Sequence, residues 1–233
     1  MEKYDFQEGR IILINKPLRW TSFDAVNKIR FILKHRFGYS SLKIGHAGTL
    51  DPLATGLLII CTGKKTKEIA SLQEHDKEYE ARIVFGKTTP SFDLETQFDR
   101  EYPAEHITRE LIEEKIQEFR GSILQEPPLH SARHINGKRA YDLARKGKIK
   151  TLSPHQVTIH AIELRQFVFP EATLYVKCSK GTYIRSLARD LGRACGSGAY
   201  LSGLVRIAIG PYRLENAMTI EDFEKSICNF ETF

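Results

Sequence analysis

Residues 45–56, with the sequence GHAGTLDPLATG, constrain the fold of this chain more than any other segment. Three glycines and a proline within twelve residues are unsuited to a helix or to a central strand. The apolar run 57–60 that follows has the length and composition of a buried strand. The sequence therefore predicts a glycine-rich loop that leads directly into a buried strand.

This loop carries one carboxylate, Asp51, and one imidazole, His46. The proline after Asp51 biases the aspartate toward an extended backbone. An Asp-Pro pair between glycines is most often a turn in which the aspartate bonds its own backbone, and spacing alone favours that interpretation. A carboxylate on a rigid loop beside a strand is also the usual way in which a fold presents a catalytic group. Spacing alone therefore favours the turn, and the catalytic interpretation needs further support.

The first half of the chain mixes strand and helix patterns. A buried strand is predicted at 10–14, and the Thr21-x-x-Asp24 pattern predicts a capped helix that runs to about Lys34. Alternation over 78–85 predicts a further strand.

The second half continues the mixed pattern. An acidic helix is predicted over 101–126, and an antiparallel strand pair is predicted at 157–169 and 172–178. Gly181-Thr182 then begins a predicted helix that places Arg185 in its first turn. The fold class expected from these patterns is mixed α and β.

Several classes of protein are excluded by composition. No apolar run approaches the roughly 18 residues that a membrane helix needs, and the first residues lack a signal-peptide pattern, so a cytoplasmic protein is expected. The four cysteines form no CxxC pair, and none lies near a histidine at the spacing of zinc ligands. No metal site is predicted, and the cysteines are expected to be reduced structural thiols.

The net charge of +6 is concentrated in one segment. Residues 130–150 hold seven basic residues and one acidic residue, whereas the remaining sequence holds 28 of each. A run of charge is usually a solvated face. A single segment that carries the whole net charge of a balanced chain is better explained by a polyanionic partner, and nucleic acid is the leading candidate.

The segment 45–56 resembles the signature of the TruB-type tRNA pseudouridine synthases. Four further segments are similar to motifs of the same family: the strand-Lys-Pro-turn-Thr-Ser opening (11–22), KEY (77–79), KGTYIR (180–185) and GLVR (203–206). The resemblance implies an α+β pseudouridine-synthase fold, a mixed and largely antiparallel sheet flanked by helices. It also implies a single catalytic domain over 1–233, with a basic RNA-binding thumb inserted at approximately 127–153.

The chain departs from the family pattern at four places. The link at 37–42 is longer than usual, His134 stands where many members carry a lysine, and Val205 replaces an arginine. Too few residues follow Met218 for the further C-terminal, PUA-like RNA-binding domain of many bacterial members, so we expect that domain to be absent.

The resemblance implies isomerisation of uridine 55 in the T loop of tRNA to pseudouridine, without a cofactor or metal, by a protein that acts as a monomer. Asp51 would be the catalytic residue and Arg185 would hold it. Tyr79 would stack on the flipped uracil and could carry a proton, and Tyr183 and Leu204 would complete the pocket. His46 would contact the RNA where the base leaves, with a general-base role as the weaker alternative. The thumb would bind tRNA through four cations: Lys138, Arg139, Arg145 and Lys146.

Several mechanistic and functional alternatives stay open. Asp51 could attack the ribose, attack the base, or help to remove a sugar proton. A non-catalytic RNA-folding factor would use the same thumb and pocket. A glycoside or N-glycosidase hydrolase is less favoured, because that chemistry usually needs two carboxylates and the loop supplies one.

Overall fold

The structure is a computed structural model that describes residues 5–129, 134–135, 138–139 and 152–228. The chain divides into two compact units, residues 1–78 with 205–233 and residues 79–204. Each unit has its own strands and helices.

The first unit is built on β1 (Ile11–Lys16), β2 (Ile44–His46) and β3 (Ala54–Thr62). Strands β1 and β2 both pair antiparallel with β3, and the last part of β12 (Ala199–Ile209) lies beside β3 and continues into β13 (Tyr212–Arg213). The predicted strands at 10–14 and 57–60 are therefore confirmed, and the second is longer than predicted because its outer residues pair across the sheet.

Helices of the first unit cover both faces of this sheet. Helix α2 (Ile69–Glu74) follows a 3₁₀ turn and packs Leu72 with Leu57 and Ile59 on one face. On the other face, helix α1 (Ser22–Phe37) packs against α5 (Ile220–Cys228) over the largest apolar cluster of this unit. The predicted capping box of α1 is confirmed, since Thr21 and Asp24 exchange both hydrogen bonds. The unusual link at 37–42 contributes Phe37, Tyr39 and Leu42 to the same cluster.

The second unit contains β4 (Lys77–Phe85), β7 (Gly121–Gln125), β10 (His155–Val168) and β11 (Glu171–Cys178). Within this unit the strand order is the first part of β12, then β4, β11, β10 and β7. Strand β10 pairs antiparallel with both β7 and β11. The predicted strand pair at 157–169 and 172–178 is confirmed, as is the predicted α+β class.

Two helices of the second unit are α3 (Arg109–Ile116) and α4 (Ile184–Ala194). Helix α4 begins two residues later than Thr182, and Arg185 lies in its first turn as predicted. The apolar stripe of this helix is buried: Ile184, Leu187, Ala188 and Leu191.

The predicted helix over 101–126 is wrong at both ends. Thr108 caps α3, but this helix ends at Ile116 and a 3₁₀ turn follows it. Gly121 then takes a left-handed conformation at φ +93°, which ends helical structure, and the chain enters β7. At the other end, Arg100–Glu101 (β6) pairs with Lys87–Thr88 (β5). Long-range strand pairing, invisible to local periodicity, decided both ends.

Most of the predicted thumb lies outside the described residues. Its described part includes two short strands, β8 (His134–Ile135) and β9 (Lys138–Arg139), which pair antiparallel. The side chains of Lys138 and Arg139 are not described, and Arg145 and Lys146 lie outside the described residues.

Two properties of the described part of the chain bear on function. None of its helices is long and apolar enough to cross a membrane. Within the same residues no group of three or more His, Cys, Asp or Glu side chains is placed to hold a metal ion. Cys61, Cys178 and Cys195 are free thiols and are buried.

Candidate active site around the Asp51 loop

The loop that carries Asp51 is shaped by its own backbone and by the strand that follows it. The N–H of Ala47 donates to the carbonyl of Ile59 (2.9 Å), and the N–H of Ala54 donates to the carbonyl of Asp51 (3.0 Å). Gly48 has φ +100°, a conformation that side chains with a Cβ rarely adopt. The loop therefore turns back on β3 on both sides of Asp51, whose side chain is left half-buried.

The start of α1 holds the same loop from the other side. The Ser22 hydroxyl accepts a hydrogen bond from the N–H of Leu50 (2.8 Å) and lies 3.2 Å from its carbonyl oxygen. The N–H of Arg19 donates to the carbonyl of Pro52 (2.7 Å). The residues immediately before and after Asp51 are thus both fixed to the segment that begins α1.

Arg206 binds the loop from β12. Its guanidinium donates to the carbonyls of Gly48 (3.0 Å), Thr49 (3.3 Å) and Leu57 (2.8 Å), and the residue is 1% exposed. Gly56 allows this approach, because a Cβ at that position would lie 2.4 Å from the Arg206 carbonyl oxygen. One side chain therefore satisfies three backbone acceptors on the two sides of Asp51.

Sequence analysis placed Arg206 in the GLVR segment but assigned it no role at the Asp51 loop. A signal for it was present, since β12 alternates and Arg206 shares the buried face with Leu204 and Ala208. A charged residue on the buried face of a strand is expected to be paired or hydrogen-bonded.

Lys16 is a second buried cation at the site. It is the last residue of β1, is fully buried, and its ammonium donates to the carbonyls of Pro17 (3.0 Å) and Trp20 (2.5 Å). Burial lowers the pKa of Lys16 from 10.5 to about 8, the Asp51 carboxylate acts against this, and the Arg206 cation adds to it. Lys16 therefore interacts electrostatically with Asp51 and is largely charged near neutral pH.

His46 ends β2, five residues before Asp51. Burial lowers its pKa from the ordinary value, the Arg206 cation lowers it further, and a hydrogen bond with the backbone of Gly48 partly opposes both. The imidazole is therefore neutral near pH 7. A neutral ring can accept a hydrogen bond but cannot pair with a phosphate as a cation, so both roles predicted for His46 must use hydrogen bonding.

In the second unit, Arg185 is buried and hydrogen-bonded. It is 2% exposed, its Nη1 lies 3.3 Å from the Ser91 carbonyl, and its Nε lies 3.6 Å from the Asp93 carboxylate, itself buried. Burying a guanidinium costs free energy, which a nearby carboxylate and hydrogen bonds must offset. Such a buried pair serves a functional or a structural role. Arg185 is therefore not a surface residue, and its predicted hold on Asp51 stays a prediction.

The remaining predicted pocket residues also belong to the second unit. Tyr79 is buried on β4, and Leu204 is buried on β12. Tyr183 precedes α4, and the Gln125 amide bonds both its N–H (2.7 Å) and its carbonyl (3.1 Å). This clamp fixes the backbone of Tyr183 and leaves its ring half-buried, with an edge contact to His155.

Two family models match consecutive segments that together cover residues 34–232. Residues 34–184 match the TruB family pseudouridylate synthase N-terminal domain, and residues 185–232 match the tRNA pseudouridylate synthase B C-terminal domain. A protein of Phocaeicola vulgatus named tRNA pseudouridine synthase B is 55% identical over 94% of this chain and 93% of its own length. One of Flavobacterium johnsoniae with the same name is 49% identical over 97% of this chain and 100% of its own length.

Solved structures agree at the level of the fold. The chain is similar to one in a crystal structure of a Cbf5-Nop10-Gar1 complex, with a TM-score of 0.72 and 29% identity over 94% of this chain. A chain in an H/ACA RNP bound to a substrate RNA containing 2'-deoxyuridine gives a TM-score of 0.69 at 26% identity over 94% of this chain. The present chain spans about half of each of those chains, 54% and 53%.

The predicted fold is therefore confirmed. With a loop that presents Asp51 among buried cations, a family model that covers 34–184, and relatives near 50% identity over almost their whole length, this chain belongs to the TruB family of pseudouridylate synthases.

Proposed function

We propose that this protein isomerises uridine 55 in the T loop of tRNA to pseudouridine, acting as a monomer in the cytoplasm. The observation that carries the proposal is the support of the Asp51 loop, in which Ser22 and Arg206 bind the backbone on the two sides of a half-buried carboxylate. Relatives named tRNA pseudouridine synthase B support the same substrate and reaction. Nothing in the comparisons favours a non-catalytic RNA-folding factor.

The chemistry requires one nucleophile or base rather than a redox group. The N1–C1′ bond of the uridine breaks, the uracil turns, and a C5–C1′ bond forms while the C5 proton is transferred to solvent and N1 becomes protonated. No electrons are exchanged and no atom of the nucleotide is lost overall. An ionised Asp51 provides the negative charge that attacks the ribose or the base or removes a sugar proton.

The proposed catalytic carboxylate has a buried cation close to it. The charges of Lys16 and Asp51 interact, which raises the pKa of Lys16 against the larger effect of burial. We propose that Arg185 supplies a further cation to Asp51, since its guanidinium is buried and already lies 3.6 Å from the carboxylate of Asp93. An arginine suits this role because it stays charged when it is buried.

The target uracil must leave its stack before it can react. Flipping a base costs a few kcal/mol, and stacking on an aromatic side chain returns about 1–3 kcal/mol per base. We propose that Tyr79 provides this face, that Tyr183 and Leu204 complete the pocket, and that His46 contacts the RNA where the base departs. The basic thumb, including Lys138, Arg139, Arg145 and Lys146, would bind tRNA phosphates.

The test is an Asp51→Asn substitution assayed on unmodified tRNA with mapping of pseudouridine. We expect loss of isomerisation with nearly unchanged tRNA affinity, because a carboxamide keeps the shape of the carboxylate but is neither nucleophile nor base. Arg185→Lys is the companion variant and should lose most activity, since lysine keeps the charge without the guanidinium geometry. Turnover by Asp51→Asn above any contaminating wild type would refute the mechanism. If the wild-type protein binds and folds tRNA but forms no pseudouridine, that result would favour the RNA-folding factor.

A further inference from the structure

Arg19 has a backbone conformation that arginine rarely adopts. Its φ is +66°, in the left-handed region, and Phe92 is the other non-glycine residue with positive φ in the described part of the chain. A Cβ is strained in this region, whereas glycine enters it freely. Strained residues persist where the surrounding structure holds them, and they cluster at functional sites.

The conformation is held by the Asp51 loop. The N–H of Arg19 donates to the carbonyl of Pro52, the residue after Asp51, at 2.7 Å. Glycine at position 19 would make the same backbone hydrogen bond without strain. The backbone contact therefore explains the conformation but gives no reason for an arginine side chain.

The side chain of Arg19 is directed to solvent. The residue is exposed, and its guanidinium makes no hydrogen bond or ion pair with any residue that the structure describes. Asp24, a nearby carboxylate in sequence, is already engaged by the backbone and hydroxyl of Thr21. The guanidinium thus remains available to an anion from outside the protein.

Apolar side chains flank this cation. Leu18 is 52% exposed and Phe23 is 64% exposed, on the two sides of Arg19 along the chain. Sites for unpaired RNA combine cations for the backbone with aromatic faces for bases. Leu18, Arg19 and Phe23 together have that composition, and the backbone of Arg19 is bonded to the Asp51 loop.

We propose that Arg19 binds an RNA phosphate beside the reacting nucleotide, and that the chain tolerates a strained backbone to place its guanidinium there. This inference rests on the proposed function, because it takes the RNA of that reaction as the ligand. A guanidinium can donate two parallel hydrogen bonds to a phosphate, which fixes its orientation as well as its charge.

Three substitutions separate the strain from the charge. Arg19→Gly removes both, Arg19→Asn removes the charge and tolerates the left-handed backbone, and Arg19→Lys keeps both the charge and the strain. We expect Arg19→Gly to raise Tm by about 2–4 °C. Both neutral variants should weaken tRNA binding about tenfold and flatten the slope of log affinity against log salt by about one. Arg19→Lys should keep the wild-type slope and Tm and lose less affinity than the neutral variants.

Lys34→Gln is the matched control. It removes an exposed cation of α1 about 18 Å from the start of that helix, so affinity and slope should stay near wild type. A wild-type salt slope in Arg19→Gly and Arg19→Asn would overturn the phosphate contact. An unchanged or lower Tm in Arg19→Gly would overturn the claim of strain. Pseudouridine formation by the wild type is measured in the same preparations, so failure of the proposed function is seen separately from failure at Arg19.

Discussion

Buried cations dominate the site at the scale of single residues. Arg206 and Lys16 are both buried beside the Asp51 loop, and each donates to backbone carbonyls. Placing like charges close together in the interior is unfavourable unless a carboxylate and hydrogen bonds offset the cost. Asp51 supplies the carboxylate, and the surrounding carbonyls accept the hydrogen bonds. The same contacts fix the conformation of the loop and bring positive charge to the site.

Substitution of Arg206 tests the hold on the loop. We expect Arg206→Lys to lower the free energy of unfolding by about 1–3 kcal/mol, because a single ammonium leaves loop carbonyls unpaired. It should also slow pseudouridine formation by up to about a hundredfold, since misplacement of a catalytic group by roughly 1 Å has that effect. Chemical denaturation and single-turnover kinetics measure the two effects. Arg213→Lys is a control on a partly exposed arginine of the same unit, and equal losses in both variants would contradict a specific role for Arg206.

The pKa of Lys16 makes stability depend on pH in a defined direction. The pKa is about 8 in the folded protein and 10.5 when unperturbed, so between these values the unfolded chain binds more protons. The free energy of unfolding should therefore rise with pH in that window, by up to about 1.4 kcal/mol per pH unit from this residue.

The measurement compares the wild type with Lys16→Met, which removes the charge and keeps similar length. The free energy of unfolding of the wild type minus that of Lys16→Met should be constant below about pH 8. It should increase from pH 8 to 10. Other titrating groups are common to both proteins and cancel. A constant difference across pH 7–10 would show that Lys16 does not lose its proton in this range.

At the scale of elements, the start of α1 has two separate tasks. Thr21 closes the capping box with Asp24, whereas Ser22, one residue later, bonds both backbone groups of Leu50 beside Asp51. The start of α1 thus caps its own helix and also supports the Asp51 loop.

Alanine substitutions distinguish these tasks. Thr21→Ala should lower the free energy of unfolding by about 1 kcal/mol with little effect on catalysis, because it removes only the cap. Ser22→Ala leaves the buried N–H of Leu50 without its partner, and should cost about 1–3 kcal/mol together with a clear loss of kcat. Thermal denaturation and steady-state kinetics report both. A fall in kcat for Thr21→Ala as large as that for Ser22→Ala would mean that the loop depends on the helix end as a whole.

At the scale of the whole molecule, we expect the distribution of charge to determine how the protein binds its proposed tRNA substrate. The segment 130–150 carries the entire net charge of +6. Each phosphate that a protein neutralises contributes close to one unit of slope to the salt dependence of binding. The proposed thumb should therefore supply a large share of tRNA affinity and little of the chemistry.

Replacing four thumb cations with serine tests this division of work. The variant Lys138→Ser/Arg139→Ser/Arg145→Ser/Lys146→Ser should flatten the salt slope by about two to four units and raise KM far more than it lowers kcat. The control replaces four exposed cations elsewhere with serine: Lys34, Arg165, Arg193 and Lys225. Equal slopes in the thumb variant and the wild type would mean that the basic segment is only a solvated face.

Local patterns in the sequence determined those parts of the structure that neighbouring residues control. The glycine-rich loop before β3, the capping box of α1, the alternation of β4 and the buried stripe of α4 all follow from spacing within a few residues. Resemblance to a known family, rather than spacing, singled out Asp51 and Arg185.

Tertiary structure alone decided which distant residues support the Asp51 loop. Arg206 reaches Gly48 across 158 positions of sequence, and Ser22 reaches Leu50 across 28, so no local period can reveal either contact. The same reason explains the wrong helix over 101–126, where pairing of β7 with β10 overrides local helical preference. Burial and charge interact through space, and therefore the state of Lys16 beside Asp51 emerges only once the chain has folded.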